Sequence, residues 1–186
     1  AGVAQLDAML SALVGAIAAG DVVVLSGSLP AGAPVGTYDA WCRACAGAGA
    51  LVFLDADGEA LARGLDACPF LAKPNDAELS RLCGHALETE AQVADEARRR
   101  VHRHGDLPGE RVLLARSPRV KVGSTVGAGD SVVAALAYAQ ERGMDLEDAV
   151  RLAMATGAAN VMQTGTQAAE RSLVDELLPR VTLERL

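Results

Sequence analysis

At 186 residues the chain is long enough for one domain with a real core. Hydrophobic residues make up 51% and aromatics only 3%, so that core is built mostly of Ala, Val and Leu. The net charge of −7 weighs against a nucleic-acid partner, because a phosphate backbone rewards a basic surface, yet local amides and a few basic residues can still hold a small anion.

Leu6 to Ala18 reads as a helix. The apolar stretch from Met9 to Ala19 is too short to span a bilayer, and no basic segment precedes it, so neither a membrane nor a secretory leader is expected. The chain opens inside this helical pattern without an initiator Met, which predicts an N-terminal portion ahead of it. Asp21 to Leu25 is a compact β-branched run, read as a buried strand. Gly and Pro make Ser26 to Pro34 a loop. Tyr38 to Ala46 is a predicted helix and Ala50 to Leu54 a strand. Asp55 to Gly58 is a turn, followed by a short helix through Leu65. Phe70 to Ala72 is a short strand, and Asp76 to Cys83 and Glu90 to His104 are helices. Arg111 to Ala115 and Arg119 to Val122 read as strands, then Ser131 to Arg142, Leu146 to Met162 and Ser172 to Leu178 as helices.

Alternation of this kind favours one α/β domain over 1–186, with a parallel sheet covered by helices. Such sheets bind ligands at the carboxyl ends of their strands. The loops after Leu25, Ala72 and Val122 are each expected to follow a strand and so to share one edge.

Cys42 and Cys45 carry a C-x-x-C spacing, but no second pair follows, and Cys68, Cys83 and the three histidines lie apart in sequence. They read as small apolar residues on a helix, in a reducing cytoplasm. Tyr38, Trp41 and Tyr138 are expected to pack in the core. Arg98 to Arg100, with His102, Arg103 and His104, reads as a solvated basic helix face, and His85 as a surface residue.

Three segments carry chemistry. In Ser124-Thr125-Val126-Gly127-Ala128-Gly129-Asp130-Ser131, two glycines and an acid stand where a strand is expected to give way to a helix. Helix starts expose unpaired N–H groups and the positive end of the macrodipole, and glycine lets an anion approach. The amides of Ala128, Gly129 and Asp130 can meet a developing negative charge, and the Asp130 carboxylate can accept a hydroxyl proton. The same residues also suit a plain strand–helix turn capped by an acid. Lys73-Pro74-Asn75-Asp76-Ala77-Glu78 contains a capping-box pattern, Asn75 with Glu78. Asn75 and Glu78 could also position hydrated Mg²⁺ and a triphosphate, since Mg²⁺ keeps most of its waters. Ser26-Gly27-Ser28-Leu29-Pro30 offers hydroxyls and close backbone to a polar ligand, or is a generic loop.

Taken in order, these three segments resemble the PfkB/ribokinase family of carbohydrate kinases, over roughly Val22 to Gly165. The Ser124–Ser131 run and Asp55 to Leu61 are most similar to its phosphofructokinase branch. The resemblance implies a ribokinase-like three-layer αβα sandwich with a mostly parallel sheet, of which this chain would be the C-terminal, nucleotide-binding portion. It implies ATP and Mg²⁺ as cofactors and phosphorylation of a sugar phosphate, fructose 1-phosphate preferred. The alternatives are a 6-phosphofructokinase, a tagatose-6-phosphate kinase, a kinase of another sugar or nucleoside, or a remnant that binds without turnover.

By the same resemblance, Asp130 is the catalytic base and Gly127, Ala128 and Gly129 form the anion hole. Lys73, Asn75, Glu78, Thr125, Gly157 and Asn160 serve the nucleotide, with Asn75 and Glu78 reaching the metal through water. Gly27 and Ser28 border the sugar pocket. The family's N-terminal portion, with most sugar contacts and a β-sheet lid through which a homodimer could form, is not in this sequence. Between His104 and Val112 the family's Ser-Leu-Gly-type turn against the nucleotide is replaced by Gly105 to Arg111.

Overall fold

Three parallel strands organise the first half of the chain. The computed structural model describes residues 2–102, 112–165 and 167–186. They form two compact units, Ala1–Gly109 and Glu110–Leu186.

The first unit runs α1 (Val3–Ala16), β1 (Val22–Ser26), α2 (Thr37–Gly47), β2 (Leu51–Asp55), α3 (Gly58–Leu65), β3 (Leu71–Ala72), α4 (Asp76–Cys83) and α5 (Glu90–His102). The sheet order is β1-β2-β3, all parallel, with Val22 opposite Leu51, Ser26 opposite Asp55 and Leu54 opposite Ala72. A parallel pair needs a crossover between its strands, and α2 and α3 supply the two crossovers. Val23 and Leu25 of β1 and Val52 and Leu54 of β2 point to one face, as the strand period of two requires. There they meet Tyr38, Cys42 and Cys45, a 4-then-3 helical stripe on α2, and Leu61 on α3. Trp41 packs against this core. Both thiols of the C-x-x-C pair are buried in it, as the apolar reading expected. Burial, with the neighbouring Cys45 second, pushes the Cys42 thiol up to about 11.

The basic run at the end of α5 is not all solvated. Arg99 is exposed, but three-quarters of Arg100 is covered. Its guanidinium donates to Glu96 Oε1 at 2.8 Å and to the Leu82 carbonyl near the end of α4 at 2.8 Å, which ties the two helices together. Arg103, His104 and the Gly105–Arg111 segment lie outside the described residues.

The second unit holds β4 (Leu113–Arg116), α6 (Ala128–Glu141), α7 (Leu146–Met162), α8 (Arg171–Leu177), a 3₁₀ turn (Leu178–Arg180) and β5 (Thr182–Arg185). β5 pairs antiparallel with β4, and the core gathers Ala155, Ala158, Ala159, Val174, Leu177 and Val181. The expected strand at Arg119–Val122 does not form. β4 pairs with β5, and the segment after it ends in Gly123 and Ser124, whose N–H groups donate to the Val161 carbonyl of α7 at 2.7 and 3.1 Å. The third loop therefore starts from a helix-anchored stretch and not from a strand end. Tyr138, expected in the core, is 45% exposed; Arg142 lies 5.2 Å from its ring centroid in a cation–π contact.

Candidate functional site

Parallel strands put their carboxyl ends on one edge, and in the first unit three loops leave from it, after Ser26, Asp55 and Ala72. Gly27 has φ of 92°, a conformation costly for any residue with a Cβ, and so turns the chain sharply away from β1. Its N–H donates to the Asp55 carbonyl at 3.0 Å. The Tyr38 hydroxyl lies 3.0 Å from the Ser26 carbonyl and 2.9 Å from the Gly27 carbonyl. Burial, then the nearby Asp55 charge, raises the Tyr38 phenol above its ordinary value. Ser28, next along, is exposed.

Lys73 leaves β3 with its N–H bonded to the Leu54 carbonyl at 3.1 Å. Its ammonium sits 3.1 Å from Asp55 Oδ1, with both side chains more than four-fifths covered. In the sequence Asp55 is a turn residue and the start of the Asp55–Leu61 motif; its opposition to Lys73 across neighbouring strand ends depends on register. Two residues on, Asn75 caps α4. Its Oδ1 accepts from the Glu78 N–H at 2.9 Å, while Glu78 Oε2 accepts from the Asn75 N–H at 2.8 Å and Oε1 from Asn75 Nδ2 at 2.7 Å. The expected capping box is therefore fully formed. Each carboxylate oxygen keeps a further lone pair, which fits a metal held through water. Among the described residues no group of three or more His, Cys, Asp or Glu could cage a metal directly.

In the second unit, the Ser124–Ser131 segment opens α6. Gly127 is the N-cap, at φ of 80° in the left-handed region. The Ser131 N–H bonds back to the Gly127 carbonyl at 2.9 Å, which closes the first helical turn. Gly129 and Asp130 fall within that turn, where N–H groups have no intrahelical acceptor. The Ala128 N–H, also assigned to the anion hole, makes a long 3.4 Å bond to the Thr125 carbonyl. Asp130 is exposed, as is Thr125.

Behind this turn stands the end of α7. A Cβ on Gly123 would fall 2.5 Å from the Gln163 carbonyl oxygen, so only glycine fits there. Gly157 is buried, and a Cβ on it would fall 2.8 Å from Val132 Cγ2; its lack of a side chain lets α6 and α7 close on each other. Asn160 is buried too, its Nδ2 donating to the Gln167 carbonyl at 3.1 Å and its Oδ1 lacking a partner among the described residues. A Cβ on Gly127 would lie 3.8 Å from both amide atoms of Asn160. The two residues named from α7 thus sit in the packing beneath the turn.

Residues 2–173 match the pfkB family carbohydrate kinases. This chain belongs to the pfkB family. It is 34% identical over 182 residues to the 1-phosphofructokinase of Bacillus subtilis, covering 90% of this chain and 59% of that protein. To the 1-phosphofructokinase of Rhodobacter capsulatus it is 38% identical over 170 residues, covering 83% and 54%. The chain thus spans a little over half the length of these curated relatives. Among solved structures it is similar to phosphofructokinase-2 from Escherichia coli in complex with substrates and products, at a TM-score of 0.85 and 28% identity over 94% of this chain and 61% of that one. The likeness shows the expected ribokinase-like α/β fold. Among the described residues no helix is long and apolar enough to cross a membrane.

Proposed function

We propose that this pfkB family chain is the nucleotide-binding portion of an ATP-dependent sugar-phosphate kinase, and that its acceptor is fructose 1-phosphate, converted to fructose 1,6-bisphosphate. One observation carries the reading: a left-handed glycine cap starts α6 with an exposed aspartate in its first turn. That arrangement sets amide donors and a proton acceptor within one helical turn. Relatives named 1-phosphofructokinase support the choice of acceptor.

In this reading Asp130 takes the proton of the acceptor hydroxyl as its oxygen bonds to the γ-phosphorus, and the bond from that phosphorus to the ADP oxygen breaks. The Gly127–Gly129 turn, with the helix dipole behind it, offsets the charge gathered on the transferring group. Asn75 and Glu78 would hold hydrated Mg²⁺ through water, and Lys73 and Thr125 would attend the nucleotide phosphates. When bound, Mg²⁺ would neutralise charge on those phosphates. Gly157 and Asn160 serve the nucleotide from beneath, by shaping the turn. Gly27 and Ser28 border the sugar phosphate. Homo-oligomerisation and a cytoplasmic setting belong to the same reading; Escherichia coli phosphofructokinase-2 has a tetrameric inhibited form.

The reading is tested by ADP release with MgATP against fructose 1-phosphate, fructose 6-phosphate and tagatose 6-phosphate. The expected result is release dependent on Mg²⁺ and fastest with fructose 1-phosphate. Fastest release with another of the three contradicts the acceptor. The alternative, a family member that binds ligand without turnover, is separated by the same assay. No release from the folded full-length product with any of the three would decide for it.

A further inference from the structure

Tyr38 is buried, on the face of α2 that fills the core. A phenylalanine there would fill the same volume without the cost of taking a hydroxyl out of water. The hydroxyl is compensated at one place only among the described residues: the two consecutive carbonyls of Ser26 and Gly27, at 3.0 and 2.9 Å. These are the last residue of β1 and the left-handed glycine that follows it. A trans peptide is planar, with its C=O and N–H opposed. Holding the Ser26 carbonyl toward α2 therefore turns the Gly27 N–H the other way, where it meets the Asp55 carbonyl at 3.0 Å. Holding the Gly27 carbonyl likewise fixes the direction of the Ser28 N–H, away from the core.

We infer that Tyr38 is a positioning residue, whose one hydroxyl sets the two peptide planes leading into Ser28 and so the edge of the acceptor site. The inference rests on the proposal that Gly27 and Ser28 border the sugar phosphate. Tyr38 touches no reactant; it acts through the loop.

The test is Tyr38→Phe in the whole chain, which keeps the ring and leaves two carbonyls without their donor. Two measurements are made. In the first, KM for fructose 1-phosphate rises about tenfold, the effect of losing roughly one hydrogen bond's worth of order, while KM for MgATP and kcat stay as they were. In the second, hydrogen exchange at the Gly27 amide quickens while amides in β2 keep their protection. A lowered melting temperature with unchanged KM values and unchanged Gly27 exchange would overturn the inference and leave Tyr38 as core filling. If the wild type turns over no sugar phosphate, the proposed function fails by itself. The exchange arm then decides for Tyr38: unaltered protection at Gly27 sinks it, and selective loss upholds its hold on the loop.

Discussion

Asn75 and Glu78 satisfy each other at the start of α4, and that reciprocity has a measurable cost when broken. Asn75→Ala removes the acceptor for the Glu78 N–H, and the expected loss is about 1 kcal/mol of stability in urea denaturation. An unchanged midpoint would mean that the cap does not support α4. Cys42 gives a pH-dependent counterpart. Its folded pKa, about 11, stands above the ordinary 9.0. The unfolded thiol ionises first, so stability is full below pH 9 and falls as pH rises from there toward 11. Cys42→Ala, less stable at neutral pH because it opens a cavity, is expected to show a shallower fall over that window. Equal slopes in the two proteins would contradict the buried, neutral thiol. The capping box was legible because its rule is local, three residues apart. The Asp55–Lys73 pair and the exposed Tyr138 were not, since one depends on which strands are neighbours and the other on which face a neighbouring helix covers.

Helices and strands read from period and punctuation held where each element buries its own pattern. β1 and β2 are short apolar runs between turn residues, and α4 has its cap at Asn75 and its stop at the left-handed Gly84. The Arg119–Val122 segment failed because β-branched residues favour a strand only if a partner is available, and β4 is paired with β5 instead. β5 itself comes from the last residues of the chain, where no turn signal marks a hairpin and its partner is some 70 residues earlier. The contact between α6 and α7 is equally hidden in the sequence: the family resemblance gives Gly157 to the nucleotide, yet the spacing of the helices already requires its missing side chain. Gly157→Ala should gain helix propensity but push on Val132. The net expectation is a loss of about 1–2 kcal/mol by thermal unfolding, overpacking being the larger effect. A stabilised variant would mean that Val132 yields freely. Leu54, fully buried beneath Gly64, is the corresponding point in the first unit. Leu54→Ala should cost about 2–5 kcal/mol in the same measurement.

At the scale of the whole molecule, family membership explains why three separate loops carry polar motifs, each on a scaffold that is otherwise small and apolar. The ordered motifs made the family legible; what each residue does is a question of chemistry, and it turns on Asp130. The most direct measurement compares Asp130→Asn with the wild type, both as the full-length product, in steady-state ADP release, alongside ATP binding by calorimetry. Asparagine keeps the size and place of the side chain but cannot take a proton at neutral pH. The account predicts a fall in kcat of about 10²-fold or more, with ATP affinity largely unchanged, as loss of a general base requires. Near-wild-type turnover in Asp130→Asn would contradict it.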